Sequence, residues 1–354
     1  MMSDPIKILI IDDSRSVQKM LYYIFSRSAS LRIVGAAYDA YEAVDIMRKV
    51  KPDVIILDVQ MPKMDGLTFL KKLMDQHPIP VIVFSSLITQ NPKIGMRALE
   101  YGAVEVVDKP VIDFANLSAS VEDEKLVGLV RAIGQTRGPG HQILFDRHGG
   151  RVTPLPMEVE TTVDRVVAIG ASAGGTQAIK HLLMQLPTNF PPVVVVQHMP
   201  VEFTGPFASY LNEVCAVNVY EAQGGERLLP GTVYVAPGDR HLTVHEHQGA
   251  YRVRLKSGEA VSGHKPSVDV LFRSMAEQVG AKGIGVILTG MGRDGASGLL
   301  ALKEANGMTI AQDEQSCVVF GMPKEAIKLN AVDQVCALDQ IPSVLNQWVI
   351  KKKG

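Results

Sequence analysis

The run Val166-Val167-Ala168-Ile169-Gly170-Ala171-Ser172-Ala173-Gly174-Gly175 carries an apolar strand into a glycine-rich corner with a serine at its tip. Glycines permit the tight backbone angles of such a corner, and the helix expected after it points its free N–H groups at the serine. Two further segments have the same form. Val193-Val194-Val195-Val196-Gln197 ends on His198, and Gly285-Val286-Ile287-Leu288-Thr289-Gly290-Met291-Gly292-Arg293 ends on Asp294. In an open α/β sheet such ends gather along one edge, where ligands bind. A Ser-His-Asp triad is therefore the leading reading of the second half of the chain.

Length and composition set the frame. At 354 residues, two domains are expected. With 46% hydrophobic and 21% charged residues, the chain reads as an ordinary soluble globular protein. The net charge of -1 is spread evenly: residues 1–136 carry 16 basic and 17 acidic side chains, and the rest carries 20 of each. Neither half has the basic excess of a nucleic-acid binder, so no nucleic-acid partner is expected. No apolar run approaches the length of a membrane span and no signal-peptide pattern opens the chain, so no membrane insertion and a cytoplasmic location are expected. Cys215, Cys317 and Cys336 are far apart and odd in number, which argues against a disulfide framework and a Cys-x-x-Cys metal site.

The first half alternates strands and helices. Strands are expected at Ile6–Ile11, Leu31–Ala36, Val54–Leu57, Val81–Phe84 and Val104–Val107, with helices near 15–27, 40–50, 66–75, 93–101 and 114–134. Five such units imply a doubly wound, five-stranded parallel sheet. The strand ends carry Asp12, Asp13, Asp58, Ser85 and Lys109. Each alone has a bland explanation, since aspartates cap helices and lysines cover surfaces. Together, three carboxylates repel one another unless a cation sits among them, and a hard, oxygen-seeking ion such as Mg²⁺ fits. Lysine and serine beside them suit the oxygens of a phosphoryl group on one aspartate.

This pattern resembles the receiver domain of two-component response regulators, most closely in Asp58-Val59-Gln60-Met61-Pro62-Lys63-Met64-Asp65-Gly66. The resemblance implies that Asp58 is the phosphoacceptor and that Asp12 and Asp13 hold Mg²⁺ with it. It makes the carbonyl of Gln60 a further ligand and Ser85 and Lys109 phosphate sensors. It also implies a cis Lys109–Pro110 bond. Val106 stands where many receivers place an aromatic switch residue, so an aromatic relay is not expected. The domains are read as a receiver over 1–134, a linker over 135–160 rich in glycine and proline, and a second domain over 161–354.

In the second domain, strands are expected at Val166–Ile169, Val193–Gln197, Val217–Glu221, Thr232–Ala236, Gly283–Thr289 and Met308–Gln312. A hairpin is expected around Gln248-Gly249. This too reads as mostly parallel α/β, a Rossmann-like hydrolase domain. Serine needs a base, and His198 is the candidate; Asp294 would orient its imidazole. The amide N–H groups of Ala173 and Met291 are candidate donors for an oxyanion. A strand-to-helix glycine turn also cradles phosphates, but no Walker lysine follows Ser172. The chain order Ser, His, Asp differs from that of α/β-hydrolases. His241, His245 and His247 read as hairpin residues rather than a metal site, and the serine site is expected to need no cofactor.

The segments around these residues, with Pro237-Gly238-Asp239-Arg240-His241, Pro266-Ser267-Val268-Asp269-Val270-Leu271-Phe272 and Cys317-Val318-Val319-Phe320-Gly321-Met322-Pro323, are similar to those of the CheB family of chemotaxis response-regulator methylesterases. The resemblance implies hydrolysis of glutamyl methyl esters on methyl-accepting chemoreceptors, with release of methanol, and deamidation of receptor glutamines. It implies a chemotaxis histidine kinase as phosphodonor. A receiver that covers the Ser172 edge until Asp58 is phosphorylated is the expected mode of control.

Overall fold

The computed structural model describes residues 4–109, 121–135 and 165–349. The chain divides into two compact units, Met1–Arg147 and His148–Gly354. The 135–160 linker reading lies outside the described residues, apart from Gln135, and so does the Lys109–Pro110 bond.

In the first unit, β1 (Ile6–Ile11), β2 (Leu31–Ala37), β3 (Val54–Leu57), β4 (Val81–Phe84) and β5 (Glu105–Val107) form one parallel sheet in the order β2-β1-β3-β4-β5. The runs IKILII, VIIL and VIVF are almost wholly buried, as strands covered on both faces must be. The helices are α1 (Arg15–Ser26), α2 (Ala40–Lys49), α3 (Gly66–Gln76), α4 (Leu87–Gln90), α5 (Pro92–Glu100) and α6 (Val121–Gln135). Ser14, Asp39 and Asp65 start α1, α2 and α3 by accepting orphan backbone N–H groups. The short α4 has no side-chain cap and too few residues to show a period, and the sequence did not reveal it. Of the helix expected over 114–134, the described part is α6, which buries Leu126, Val130 and Ile133.

The second unit has a seven-stranded sheet, all parallel. Its strands are β6 (Val166–Ala171), β7 (Val193–Gln197), β8 (Asn218–Glu221), β9 (Thr232–Val235), β12 (Gly283–Ile287), β13 (Met308–Gln312) and β14 (Gln334–Cys336), in the order β14-β13-β12-β6-β7-β9-β8. The hairpin β10 (His241–His247) and β11 (Ala250–Lys256) turns through Gln248 and Gly249, both at positive φ, as a two-residue mirror-image turn requires. Helices α7 (Gly175–Leu183), α8 (Val201–Val214), α9 (Val268–Gln278), α10 (Ala296–Glu304), α11 (Met322–Lys328) and α12 (Ile341–Val349) complete it. β14 and α12 were not foreseen: a three-residue strand is too short for a period, whereas α12 does carry one, with Ile341, Val344, Leu345 and Val349 at helical spacing.

The α/β class expected for both halves is the one observed. In each sheet the chain leaves a central strand in one direction and later returns on its other side. That switch lies between β1 and β3 in the first unit and between β6 and β12 in the second. The loops after these strands open a crevice at the carboxyl edge. Among the described residues no helix is long and apolar enough to cross a membrane.

Phe272 of α9 is fully buried in the core of the second unit, among Val166, Leu271, Met275 and Leu299. Phe272→Ala is expected to destabilise this unit by about 3–5 kcal/mol. Urea unfolding followed by the fluorescence of Trp348, the single tryptophan, measures it.

Candidate active site

Ser172 stands at the end of β6, where the switch opens. Its amide donates to the Thr289 carbonyl at 3.0 Å, and its carbonyl accepts from Gly175 N at 2.7 Å and from Gln197 Nε2 at 2.9 Å. The serine backbone is thus pinned to both neighbouring strand ends. Gly174 adopts φ 75° at the start of α7, a left-handed turn that a side chain resists and that Val318 leaves no room for. The Ala173 amide makes no hydrogen bond among the described residues and sits at the positive end of α7. Gly290 presses against Ser172 from the β12 side: a Cβ there would lie 2.9 Å from Ser172 Cβ and 2.3 Å from Met322 Sδ. The following residue, Met291, is exposed on this loop.

His198 follows β7, its amide bonded to the Ala171 carbonyl at 3.1 Å. Its Nε2 lies 2.8 Å from Asp294 Oδ2. Asp294 is 1% exposed, and its remaining acceptor capacity is filled by the start of α9. Val268 N donates to Oδ2 at 2.7 Å, and Asp269 N and Ser267 Oγ donate to Oδ1 at 3.0 and 2.8 Å. Burial pushes this carboxyl's pKa up. The bond and charge of His198 and the two amides outweigh it, so the group lies below the ordinary carboxylate value. An ionised Asp294 accepts, so His198 Nε2 carries a proton, and in the neutral imidazole Nδ1 is then the nitrogen with the lone pair. Nδ1 is buried and has no partner among the described residues. Ser172 Oγ makes no hydrogen bond to it here; nucleophile–base bonds are often long without substrate. The His264 ring stacks on His198, with centroids 3.8 Å apart and planes 7° apart.

Sequence reading missed Ser267, His264, Gln197 and His241 as parts of this site. Ser267 had a readable signal, because a serine before an apolar run is a helix cap. His264 lies in a loop without period. His241 is not a metal ligand: its Nδ1 accepts from Ser267 N and its Nε2 donates to the Glu259 carbonyl. The thiols lie far from reactive: burial pushes Cys215 up to about 12 and Cys336 up to about 11, and Cys317 well above its ordinary value.

The crevice of the first unit is acidic. Lys109 Nζ lies 2.7 Å from both Asp12 Oδ2 and Asp58 Oδ2. Asp12 and Asp58 are buried and Asp13 is exposed, yet ligand atoms of all three lie within 4.8 Å of one another. Burial raises the Asp12 carboxyl, and Lys109 offsets that only in part. Asp58 Oδ1 accepts from Val59 N at 2.7 Å. Ser85 Oγ, after β4, is buried without a hydrogen-bond partner among the described residues. Gln60 is exposed two residues beyond Asp58, and Val106 is half-buried on β5.

The two crevices define a response regulator with an enzyme-like second unit. A response regulator receiver domain matches residues 8–122, and a CheB methylesterase domain matches residues 167–345. The chain belongs to the CheB methylesterase family. It is 46% identical to a protein-glutamate methylesterase/protein-glutamine glutaminase of Methylobacillus flagellatus, over 99% of this chain and 98% of that protein. A Geobacter metallireducens relative of the same description is 45% identical over 99% and 97%. The crystal structure of the Thermotoga maritima CheB methylesterase catalytic domain matches with TM-score 0.52 and 40% identity, covering 54% of this chain and all of that one.

Gly290→Ala is expected to push Ser172 aside and slow its labelling by a fluorophosphonate about a hundredfold, with a smaller effect on stability. Asp294 supplies a pH test. Its carboxyl is lowered in the fold, so the stability it contributes is complete above the ordinary value of 3.8 and is lost as pH falls through the lower folded value. Acid unfolding of Asp294→Asn should lack this component and run less steeply below that pH than the native chain.

Proposed function

We propose that the second unit hydrolyses glutamyl methyl esters on chemoreceptors, and deamidates receptor glutamines, through Ser172, His198 and Asp294. The observation that carries this reading is the clamped imidazole. Asp294 holds Nε2–H, and the only free nitrogen, Nδ1, belongs to the strand end beside the serine corner. His198 Nδ1 takes the proton of Ser172 Oγ as the oxygen attacks the γ-carbonyl carbon. The Ala173 and Met291 amides receive the negative charge that builds on the carbonyl oxygen. The imidazolium, balanced by Asp294, returns its proton to the leaving methoxide, and methanol departs. Water then attacks the acyl-serine by the same route, and glutamate and free serine result. With a glutamine side chain, ammonia leaves instead, and the product carboxylate is the same.

The first unit serves as the control, with Asp58 as phosphoacceptor and a histidine kinase as donor. Three carboxylates face one lysine, a donor set of hard oxygens with excess negative charge. It fits Mg²⁺, held by Asp12, Asp13, Asp58 and the Gln60 carbonyl. The ion would offset the charge of an arriving phosphoryl group. Lys109 pairs with a phosphoryl oxygen once Asp58 is esterified, and the Ser85 hydroxyl, orphaned now, gains an acceptor. The domains are read as a receiver over 1–134, a linker over 135–160 and a catalytic domain over 161–354.

Methanol release from membranes bearing methylated chemoreceptors tests the reading. The native chain should release methanol, faster with Mg²⁺ and a small phosphodonor. Ser172→Ala should lose about a thousandfold or more, and Asp58→Asn should keep only the basal rate. Release undiminished in Ser172→Ala would sink the serine mechanism.

A further inference from the structure

The Asp294 bond leaves one freedom in the His198 ring. A single in-plane hydrogen bond fixes one edge of an imidazole but resists rotation about that bond weakly, and rotation would swing Nδ1 away from the serine. The His264 ring closes that freedom, since it lies flat on His198 at a centroid distance of 3.8 Å with planes 7° apart. His264 is itself held by the framework that holds Asp294. It ends the turn Val261–His264, closed by reciprocal backbone bonds of 3.0 Å and passing through Ser262 and Gly263 at positive φ. Ser262 Oγ donates to Asp269 Oδ2 at 2.9 Å. The other oxygen of Asp269 accepts from Gly298 N, and its amide donates to Asp294. One helix start thereby sets both the edge partner and the face partner of His198.

We propose that His264 is a positioning residue for the hydrolysis, keeping Nδ1 of His198 aimed at Ser172 by stacking on the imidazole. The proposal rests on the reading of His198 as the base. It concerns the face of the His264 ring, so a different flat ring should serve. The stack also gives the transient imidazolium a polarizable surface instead of open water.

The test uses the full chain and compares His264→Ala, His264→Phe and His198→Ala. Methanol release gives kcat and KM, fluorophosphonate labelling gives the reactivity of Ser172, and thermal unfolding checks each fold. His264→Ala should lower kcat and the labelling rate by about tenfold or more, with KM within about twofold. His264→Phe should recover most of that loss. Full activity in His264→Ala, or no recovery in a folded His264→Phe, overturns the proposal. Full activity in His198→Ala instead overturns the underlying base assignment, which separates the two failures. If His264→Ala does not fold, recovery in His264→Phe supports the stack, and loss of kcat in a folded His264→Phe overturns it.

Discussion

The carboxylate of Asp294 is the constraint around which the second unit is arranged. A buried anion left uncompensated costs about 3–5 kcal/mol, so its surroundings must supply donors on every side. Three come from the start of α9, through Ser267, Val268 and Asp269, and the fourth is His198. This ties together elements distant in sequence: the loop after β12, the first turn of α9 and the end of β7. The same turn of α9 also anchors the loop bearing His264. Catalytic geometry and helix capping are here one set of hydrogen bonds.

Both units place their chemistry at the same topological position. Doubly wound sheets leave a crevice where the strand order reverses, and loops there are free of neighbours on one side. What fills the crevice decides the outcome. In the first unit the strand ends bring carboxylates and one lysine, a set suited to cations and phosphate. In the second they bring a serine, an imidazole and unpaired amides, a set suited to an acyl group that passes through an oxyanion. Fold alone does not separate the two; the side chains do.

Much of this was legible in the sequence because strand ends are easy to find. Val193–Gln197 and Met308–Gln312 could be bounded from apolar runs alone, and Ser172 and His198 are the polar residues directly after β6 and β7, with Asp294 in the loop after β12. What escaped depends on contacts between segments remote in the chain. Nothing in Val261-Ser262-Gly263-His264 shows that its histidine lies on the ring of His198, because the turn is local but the stack is made by tertiary packing. Three histidines close in sequence invite a metal reading that the hairpin pattern disfavours: they share one face of β10, where His241 is buried against Ser267 while His245 and His247 run out toward the hairpin tip and solvent. The short α4 and β14 lacked enough residues for any period to emerge.

The two centres differ in what balances their charge. Asp294 is compensated mostly by neutral amides and a hydroxyl inside the core, and dissolved salt screens such interactions little. The carboxylates of the first unit are matched by one lysine, with Asp13 open to solvent, which leaves a net negative set within reach of dissolved cations. The ionic composition of the surroundings therefore acts on one centre and hardly reaches the other. The chain couples a switch that samples its medium to a reaction centre insulated from it.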